Sequence, residues 1–130
     1  MIPQFDFSRL EAYDLAAEFV LWTEAQRHSL RRRPHLADQL HRAATSVALN
    51  IAEGAGEFRP REKARFYRMA RRSATECAGV VDLLARMGTV EAEQAQRGEV
   101  LLAQILPLLV TMCRNQERKA SRVPGTAATK

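Results

Sequence analysis

Residues 34–54 read PHLADQLHRAATSVALNIAEG, and this stretch decides the fold class because its apolar residues follow the period of an α-helix. The apolar positions recur every three or four residues, which places them on one helix face: Leu36, Leu40, Ala43, Val47 and Ile51. Pro34 suits a first helical turn, where no intrahelical bond needs its missing amide hydrogen. Gly54 and Gly56 predict the end of the helix, with a glycine in the left-handed cap conformation. The stretch therefore predicts one amphipathic helix from about Pro34 to Gly54.

An earlier helix is predicted from about Arg9 to Ser29. Ser8 is expected to cap it, and Glu11, three residues later, to complete a capping box. Apolar residues occupy three stripes around this helix, so that only a band through Glu11, Asp14 and Glu18 is strongly polar. A helix of this kind is buried on more than one side. We expect another subunit to supply the additional burial.

Two more helices are predicted in the second half of the chain. The third begins near Pro60 and ends at Gly88, with apolar residues repeating over about six turns. The fourth follows Thr89, its expected cap, and contains Pro107, which predicts a kink. No segment alternates polar and apolar residues as a β-strand would.

These four segments predict an all-α protein, an antiparallel up-down four-helix bundle. The antiparallel arrangement follows from the short connections between successive helices. The bundle is expected to occupy residues 1–120, and residues 121–130 to form a disordered C-terminal tail. A chain of 130 residues is long enough for one domain with its own core.

The composition predicts a soluble protein of a reducing compartment. No stretch approaches the ~18 apolar residues of a membrane span, and the N-terminus lacks the basic and apolar regions of a secretory signal. Cys77 and Cys113 are too few for a disulfide framework and lie too far apart along their helices to pair, so both are expected in the core. We therefore expect a cytoplasmic protein with no membrane partner.

The basic residues are concentrated in one place. The chain carries a net charge of +5, whereas residues 59–72 alone hold seven basic residues and one acidic residue. Four of these arginines lie opposite the core stripe of the third helix and form a line about 16 Å long: Arg61, Arg65, Arg68 and Arg72. Arginine donates paired hydrogen bonds to phosphate, so the line predicts a site for nucleic-acid backbone. A solvated face, or salt bridges to the acidic residues of a neighbouring subunit, explains the same pattern and stays open.

The connection after the first helix adds three consecutive arginines as further candidates for the nucleic-acid site: Arg31, Arg32 and Arg33. A separate group of polar residues is expected beside the core stripes of the second and third helices: Gln39, Ser46, Asn50, Glu53, Ser73 and Glu76. Asn50 and Glu53 are residue types that can serve acid–base chemistry. No histidine or nucleophilic cysteine joins them at this level, and we favour a structural polar network.

No other constellation predicts chemistry. The three histidines do not fall at metal-ligand spacings, the two cysteines have no nearby ligand partners, and no glycine-rich phosphate loop is present. The sequence therefore predicts no metal, no cofactor and no enzymatic activity.

Residues 39–56 read QLHRAATSVALNIAEGAG and resemble the 23S rRNA intervening-sequence protein family, also called the four-helix-bundle protein family. The family pattern in this region is roughly QLRRAAxSxxxNIAEGxG. The resemblance covers about residues 5–90 and continues through Phe66, Ala70, Arg71, Ser73 and Glu76. His41 stands where arginine is usual, and the fourth helix matches only in type.

The resemblance implies an up-down four-helix bundle that assembles as a homopentamer with a basic surface. A related protein, the accessory variability determinant of diversity-generating retroelements, is a basic pentamer that binds a reverse transcriptase and nucleic acid. Copies of the chain itself, RNA, DNA and a nucleic-acid enzyme are therefore the partners that the resemblance implies.

Three hypotheses about function result. The first is a non-catalytic oligomer that binds nucleic acid or a nucleoprotein through its basic third helix. The second is a protein–protein adaptor or scaffold, whose arginines make salt bridges to a partner or between subunits. An enzyme with Glu53 as the base is a third and weaker hypothesis, because no complementary nucleophile, metal site or cofactor loop is visible.

Overall fold

The computed structural model describes residues 5–122, which form helices and connecting loops with no β-strand. The elements are, in chain order, a 3-10 helix Asp6–Arg9, α1 Glu11–Ala25, α2 Arg27–Leu30, α3 Pro34–Ala55, α4 Pro60–Arg86 and α5 Ala92–Arg122. Within residues 5–122, every helix is too short or too polar to span a lipid bilayer.

Four of these helices form a closed ring around one core. α1 packs against α3 and α5, α3 packs against α4, and α4 packs against α5. α1 and α4 therefore lie diagonally opposite each other, as do α3 and α5. The ring confirms the predicted all-α four-helix bundle, in which α2 is a single turn between α1 and α3.

The core is filled from all four long helices. The largest fully buried apolar side chains include Phe19, Leu40, Ile51, Leu84, Ile105 and Leu109. Each such side chain contributes roughly 1.5–3 kcal/mol when it leaves water. Cys77 and Cys113 are buried and free, as predicted. The predicted core stripe of residues 34–54 is confirmed, because all five of its members are buried.

The ends of the first bundle helix differ from the prediction. Its N-cap is Leu10, in extended conformation and without a side-chain cap, and the 3-10 helix Asp6–Arg9 occupies the preceding positions. The predicted capping box of Ser8 and Glu11 is therefore wrong. α1 also ends earlier than Ser29, because the backbone leaves helical geometry at Gln26.

Most apolar side chains of α1 are buried by contacts within the same chain. The Trp22 ring lies directly on Gly98 of α5, where an added Cβ atom would come within 2.8 Å of the ring. The indole Nε1 of Trp22 donates a hydrogen bond of 3.0 Å to the carbonyl oxygen of Gln94. Leu15 packs against the same core, and Leu21 is the one large apolar residue of α1 that is strongly exposed, at 68%. The apolar stripes of α1 thus do not by themselves require a second subunit.

The two glycines at the end of α3, Gly54 and Gly56, have different roles. Gly56 has φ −84° rather than the predicted left-handed conformation. A Cβ atom on Gly54 would lie 2.6 Å from the Tyr67 ring, so Gly54 lets α3 and α4 approach closely. The Lys63 ammonium group donates hydrogen bonds to the carbonyl oxygens of Gly54 and Ala55, which satisfies the C-terminal end of α3.

The turn between α4 and α5 contains the left-handed residue. Gly88 has φ 70° there, which a glycine adopts without strain. Thr89 is buried in this turn and is not the cap of the last helix, because α5 begins three residues later, at Ala92.

The last helix is longer than predicted. α5 continues through Pro107 and ends at Arg122, so Ser121 and Arg122 are helical although the sequence placed them in the tail. The remainder of the predicted tail, residues 123–130, lies outside the described residues.

The contact between Trp22 and Gly98 predicts opposite effects for two glycine-to-alanine substitutions. Gly98→Ala forces a methyl group against the indole ring, and we expect a loss of about 1–2 kcal/mol in the free energy of unfolding after the gain in helix propensity. Gly79→Ala is the matched control, because Gly79 lies inside α4 and the added methyl group would meet no neighbouring side chain or helix within 4 Å. This control is expected to gain about 0.5–1 kcal/mol. Urea denaturation measures both, and stabilisation by Gly98→Ala would disprove the tight contact.

Candidate nucleic-acid interface

The four arginines of the predicted line are all exposed on the outer side of α4. Arg65 donates from Nε to the Glu62 carboxylate at 3.3 Å, and its guanidinium carbon lies 4.9 Å from the centroid of the Phe66 ring. Arg68 donates from Nη1 to Glu117 of α5 at 3.1 Å. Both ion pairs are half-exposed, so each contributes at most about 1 kcal/mol and leaves the arginine able to exchange partners.

Arg61 and Arg72, at the two ends of the line, make no side-chain hydrogen bond or ion pair with any residue of the range 5–122. They differ in surroundings. Arg61 lies in the first turn of α4, whereas Arg72 lines an open groove between α3 and α4. Two of the four guanidinium groups are therefore free to bind an external anion without breaking an internal contact.

The C-terminal part of α5 brings further basic residues to the same end of the bundle. α4 and α5 are antiparallel neighbours, and the ion pair between Arg68 and Glu117 joins the first half of α4 to the last turns of α5. The residues that α5 contributes there are exposed: Arg114, Arg118, Lys119 and Arg122. Sequence reasoning missed them, although the pairing of antiparallel helices across a short turn was a signal that could have found them.

We define the basic end as residues 60–72 of α4 together with residues 113–122 of α5. It contains ten basic and two acidic residues, a net charge of +8, so the rest of the chain carries a net charge of −3. The positive charge of this protein is thus concentrated on the paired segments of α4 and α5. A surface of this kind attracts polyanions over distances of about a Debye length, ~8–10 Å at moderate salt.

The three arginines of the α2–α3 connection lie at the opposite end. Arg32 donates from Nη2 to the carbonyl oxygens of Gly88 and Thr89 at 3.3 and 3.2 Å, and Arg33 donates from Nε to the hydroxyl of Thr89 at 3.3 Å. Since Gly88 is sixteen residues from Arg72 on the same hairpin, the two arginine groups are about 24 Å apart. The structure therefore does not join them into one site. Arg32 and Arg33 instead tie this connection to the turn between α4 and α5.

Arg31 is also separated from the basic end. It is exposed, and its Nε donates to the carbonyl oxygen of His28 at 3.4 Å, within its own connection.

The predicted polar network forms for the most part between α3 and α4. The hydroxyl oxygens of Ser46 and Ser73 lie 2.9 Å apart, and Asn50 Nδ2 donates to both the carbonyl and the hydroxyl oxygen of Ser46 at 2.9 Å. One helical turn or more away, Gln39 Nε2 donates to the Glu76 carboxylate at 3.0 Å. These hydrogen bonds fix the axial register of α3 against α4.

Glu53 is not part of this network. Its side chain is exposed and makes no hydrogen bond or ion pair with any of residues 5–122. Lys63, in the first turn of α4, instead donates from its ammonium group to the carbonyl oxygens at the end of α3.

The arrangement between α3 and α4 offers hydrogen-bond donors but no activated nucleophile. Ser46, Asn50, Arg72 and Ser73 line an open groove of about 590 Å³. The nearby Cys77 thiol is fully buried, and its burial, with a smaller effect of Glu76, raises its pKa to about 12. The thiol is therefore protonated at neutral pH and is a poor nucleophile. No cluster of three metal-ligating side chains occurs within residues 5–122.

The network predicts that Asn50 matters for stability and Glu53 does not. Asn50→Ala removes two partly buried hydrogen bonds, and we expect the free energy of unfolding to fall by about 1–2 kcal/mol. Glu53→Ala should change it by less than about 0.5 kcal/mol, because the side chain is exposed and unpaired. Urea denaturation of the two variants is the measurement. Equal destabilisation by Glu53→Ala would place Glu53 in the network after all.

Comparison with known proteins places this chain beside others of the same architecture. A family model described as 23S rRNA-intervening sequence protein matches residues 8–111. The chain is also similar to the crystal structure of a protein with unknown function from the S23 ribosomal protein family of Bacteroides thetaiotaomicron VPI-5482. The two superpose with a TM-score of 0.72 at 21% sequence identity, over 78% of this chain and 97% of that chain. This likeness shows the fold alone. Comparison with curated proteins gives no match.

Proposed function

Because the chain belongs to the 23S rRNA-intervening sequence protein family, we propose that it binds the backbone of RNA or DNA, free or in a nucleoprotein, through its basic end and without catalysing a reaction. The observation that carries the proposal is the net charge of +8 in the basic end of a chain whose remainder is negative. An anionic polymer is the partner that fits such a surface.

The chemistry of the side chains supports phosphate as the ligand. Nine of the ten basic residues are exposed, and eight of the ten are arginines, whose planar group donates two parallel hydrogen bonds to a phosphate. The contacts proposed here are with phosphate, so they are independent of sequence and weaken as salt rises.

A non-catalytic role is part of this proposal. It is supported by the protonated, buried state of Cys77 and by the raised pKa of Cys113, whose burial disfavours the thiolate. Glu53, the one carboxylate considered as a base, has no neighbouring group that would hold it for proton transfer.

Salt dependence tests the nucleic-acid proposal. We expect the logarithm of the association constant to fall linearly with the logarithm of salt concentration, because bound counterions are released. The double variant Arg61→Gln, Arg72→Gln should weaken binding at low salt and reduce that slope by about two. Fluorescence anisotropy with a labelled oligonucleotide, from 50 to 300 mM salt, measures both quantities.

The matched control removes two arginines elsewhere. Arg86→Gln, Arg97→Gln lowers the net charge by the same amount, and both residues form exposed ion pairs on the halves of α4 and α5 that lie away from the basic end. Equal weakening by the control would mean that total charge, and not the basic end, governs binding. Binding that does not respond to salt would refute the proposal.

The second candidate function, a scaffold built from copies of this chain, is favoured by one line of exposed apolar residues. Met69, Leu83 and Met87 are 41–48% exposed, and spacings of fourteen and four residues place them on one side of α4. Leu49 of the neighbouring helix α3 is also exposed, at 53%. The resemblance to a pentameric family makes further copies of the chain the expected partner.

Size-exclusion chromatography with light scattering tests the scaffold. We expect a multiple of the 14.6 kDa chain mass, and a shift to lower mass for the variant Leu83→Glu, Met87→Glu, because two charges cannot be buried in a contact without partners. Leu21→Glu, on the diagonally opposite helix α1, is the control and should leave the mass unchanged. If only Leu21→Glu dissociates the oligomer, α1 forms the contact; a monomeric wild-type protein excludes the scaffold.

A further inference from the structure

The connection between α3 and α4 exposes one aromatic ring almost completely. Phe58 is 96% exposed, more than any other large apolar residue of the described range. It belongs to the loop of residues 56–59, which follows the end of α3 and precedes Pro60. A phenyl ring in water costs free energy, and single exposed residues are common. Phe58 differs from other exposed apolar residues because it lies on an ordered loop next to the basic end.

The loop that carries Phe58 is held on both sides. The amide of Glu57 donates to the carbonyl oxygen of Gly54 at 3.2 Å, and Pro60 fixes the backbone at the first position of α4. Lys63 donates from its amide to the carbonyl oxygen of Arg59 at 2.9 Å, and from its side chain to the end of α3. Phe58 is therefore presented by an ordered backbone, so that a ligand meets it with little further loss of conformational entropy.

Basic residues follow Phe58 directly in the chain. Arg59 is the last residue of the loop and Arg61 lies in the first turn of α4, and neither side chain pairs with another of residues 5–122. The ion pair between Arg68 and Glu117 sets the last turn of α5 beside the first turn of α4, which follows the loop. This last turn carries Lys119 and Arg122.

A planar aromatic ring within a basic surface is the combination by which proteins hold single-stranded nucleic acid. The basic groups bind the phosphates, and the ring stacks on an unpaired base. A duplex presents no free base face along its length, because its bases are stacked inside the helix. The same basic surface without the ring would bind both forms through phosphate alone.

We propose that Phe58 stacks on an unpaired base, so that the basic end prefers single-stranded RNA or DNA to a duplex. The inference rests on the proposed binding of nucleic acid and adds its ligand class. The ring supplies base contact without sequence preference, since every base has a face on which to stack.

The test compares wild-type protein with three variants by fluorescence anisotropy. The probes are a labelled 12-nucleotide single strand of mixed sequence, as RNA and as DNA, and the blunt duplex of the same DNA. Phe58→Ala is expected to raise the Kd for a single strand about tenfold and to leave the Kd for the duplex unchanged. Phe58→Trp keeps an aromatic face and should bind single strands at least as well as wild type. Val100→Ala, at a half-exposed position of α5 outside the basic end, should have no effect.

The outcomes separate this inference from the proposal on which it rests. If wild-type protein binds single strands and duplex but Phe58→Ala equals wild type on both, stacking is refuted while phosphate binding stands. If no probe binds at 50 mM salt, both fail together. A loss confined to the RNA strand, or to the DNA strand, supports stacking and assigns the sugar. A change of oligomeric mass in Phe58→Ala, with no preference for single strands, would make Phe58 a contact between copies and overturn the inference.

Discussion

The five residues between α4 and α5 force the two longest helices to run antiparallel, and much of the molecule follows from this constraint. It brings the start of α4 and the end of α5 to one end of the bundle, so that two basic segments far apart in sequence share one surface. The connection between α2 and α3 stabilises this turn, because Arg32 and Arg33 donate hydrogen bonds to its carbonyl and hydroxyl oxygens. The arginines nearest to this turn thus stabilise the hairpin whose far end carries the charge.

Close approach of the helices is the second condition for this geometry. The Tyr67 ring packs on Gly54 and the Trp22 ring packs on Gly98, at distances that leave no room for a Cβ atom on either glycine. The hydroxyl contact between Ser46 and Ser73 joins α3 and α4 over short side chains in the same way. Large residues fill the centre of the bundle, and small ones line the seams between neighbouring helices. The hydrogen bonds of the polar network fix the axial register of α3 against α4 without a buried charge.

The sequence predicted the helices better than it predicted their contacts. Apolar spacing and the prolines located α3 and α4 within one or two residues, because both signals act over a single helix. The expected roles of Ser8, Gly56 and Thr89 were wrong, since a helix end depends on what packs against it. The arginine line was found from its spacing alone. The contributions of α5 to it, and the separate location of residues 31–33, depend on how the hairpin folds back, which no local pattern encodes. The contact of Trp22 with Gly98 also depends on how distant helices pack, and no local pattern encodes it.

The uneven charge also gives this bundle a permanent electric dipole moment directed toward the basic end. A net charge of +8 in these two segments, against −3 in the remainder, means that an external field exerts a torque on the molecule as well as a force. A polyanion approaching in solution therefore turns the bundle before touching it, so that the first encounters are made with the basic end facing the polyanion. Such orientation shortens the search for a productive encounter more than it strengthens any complex that results.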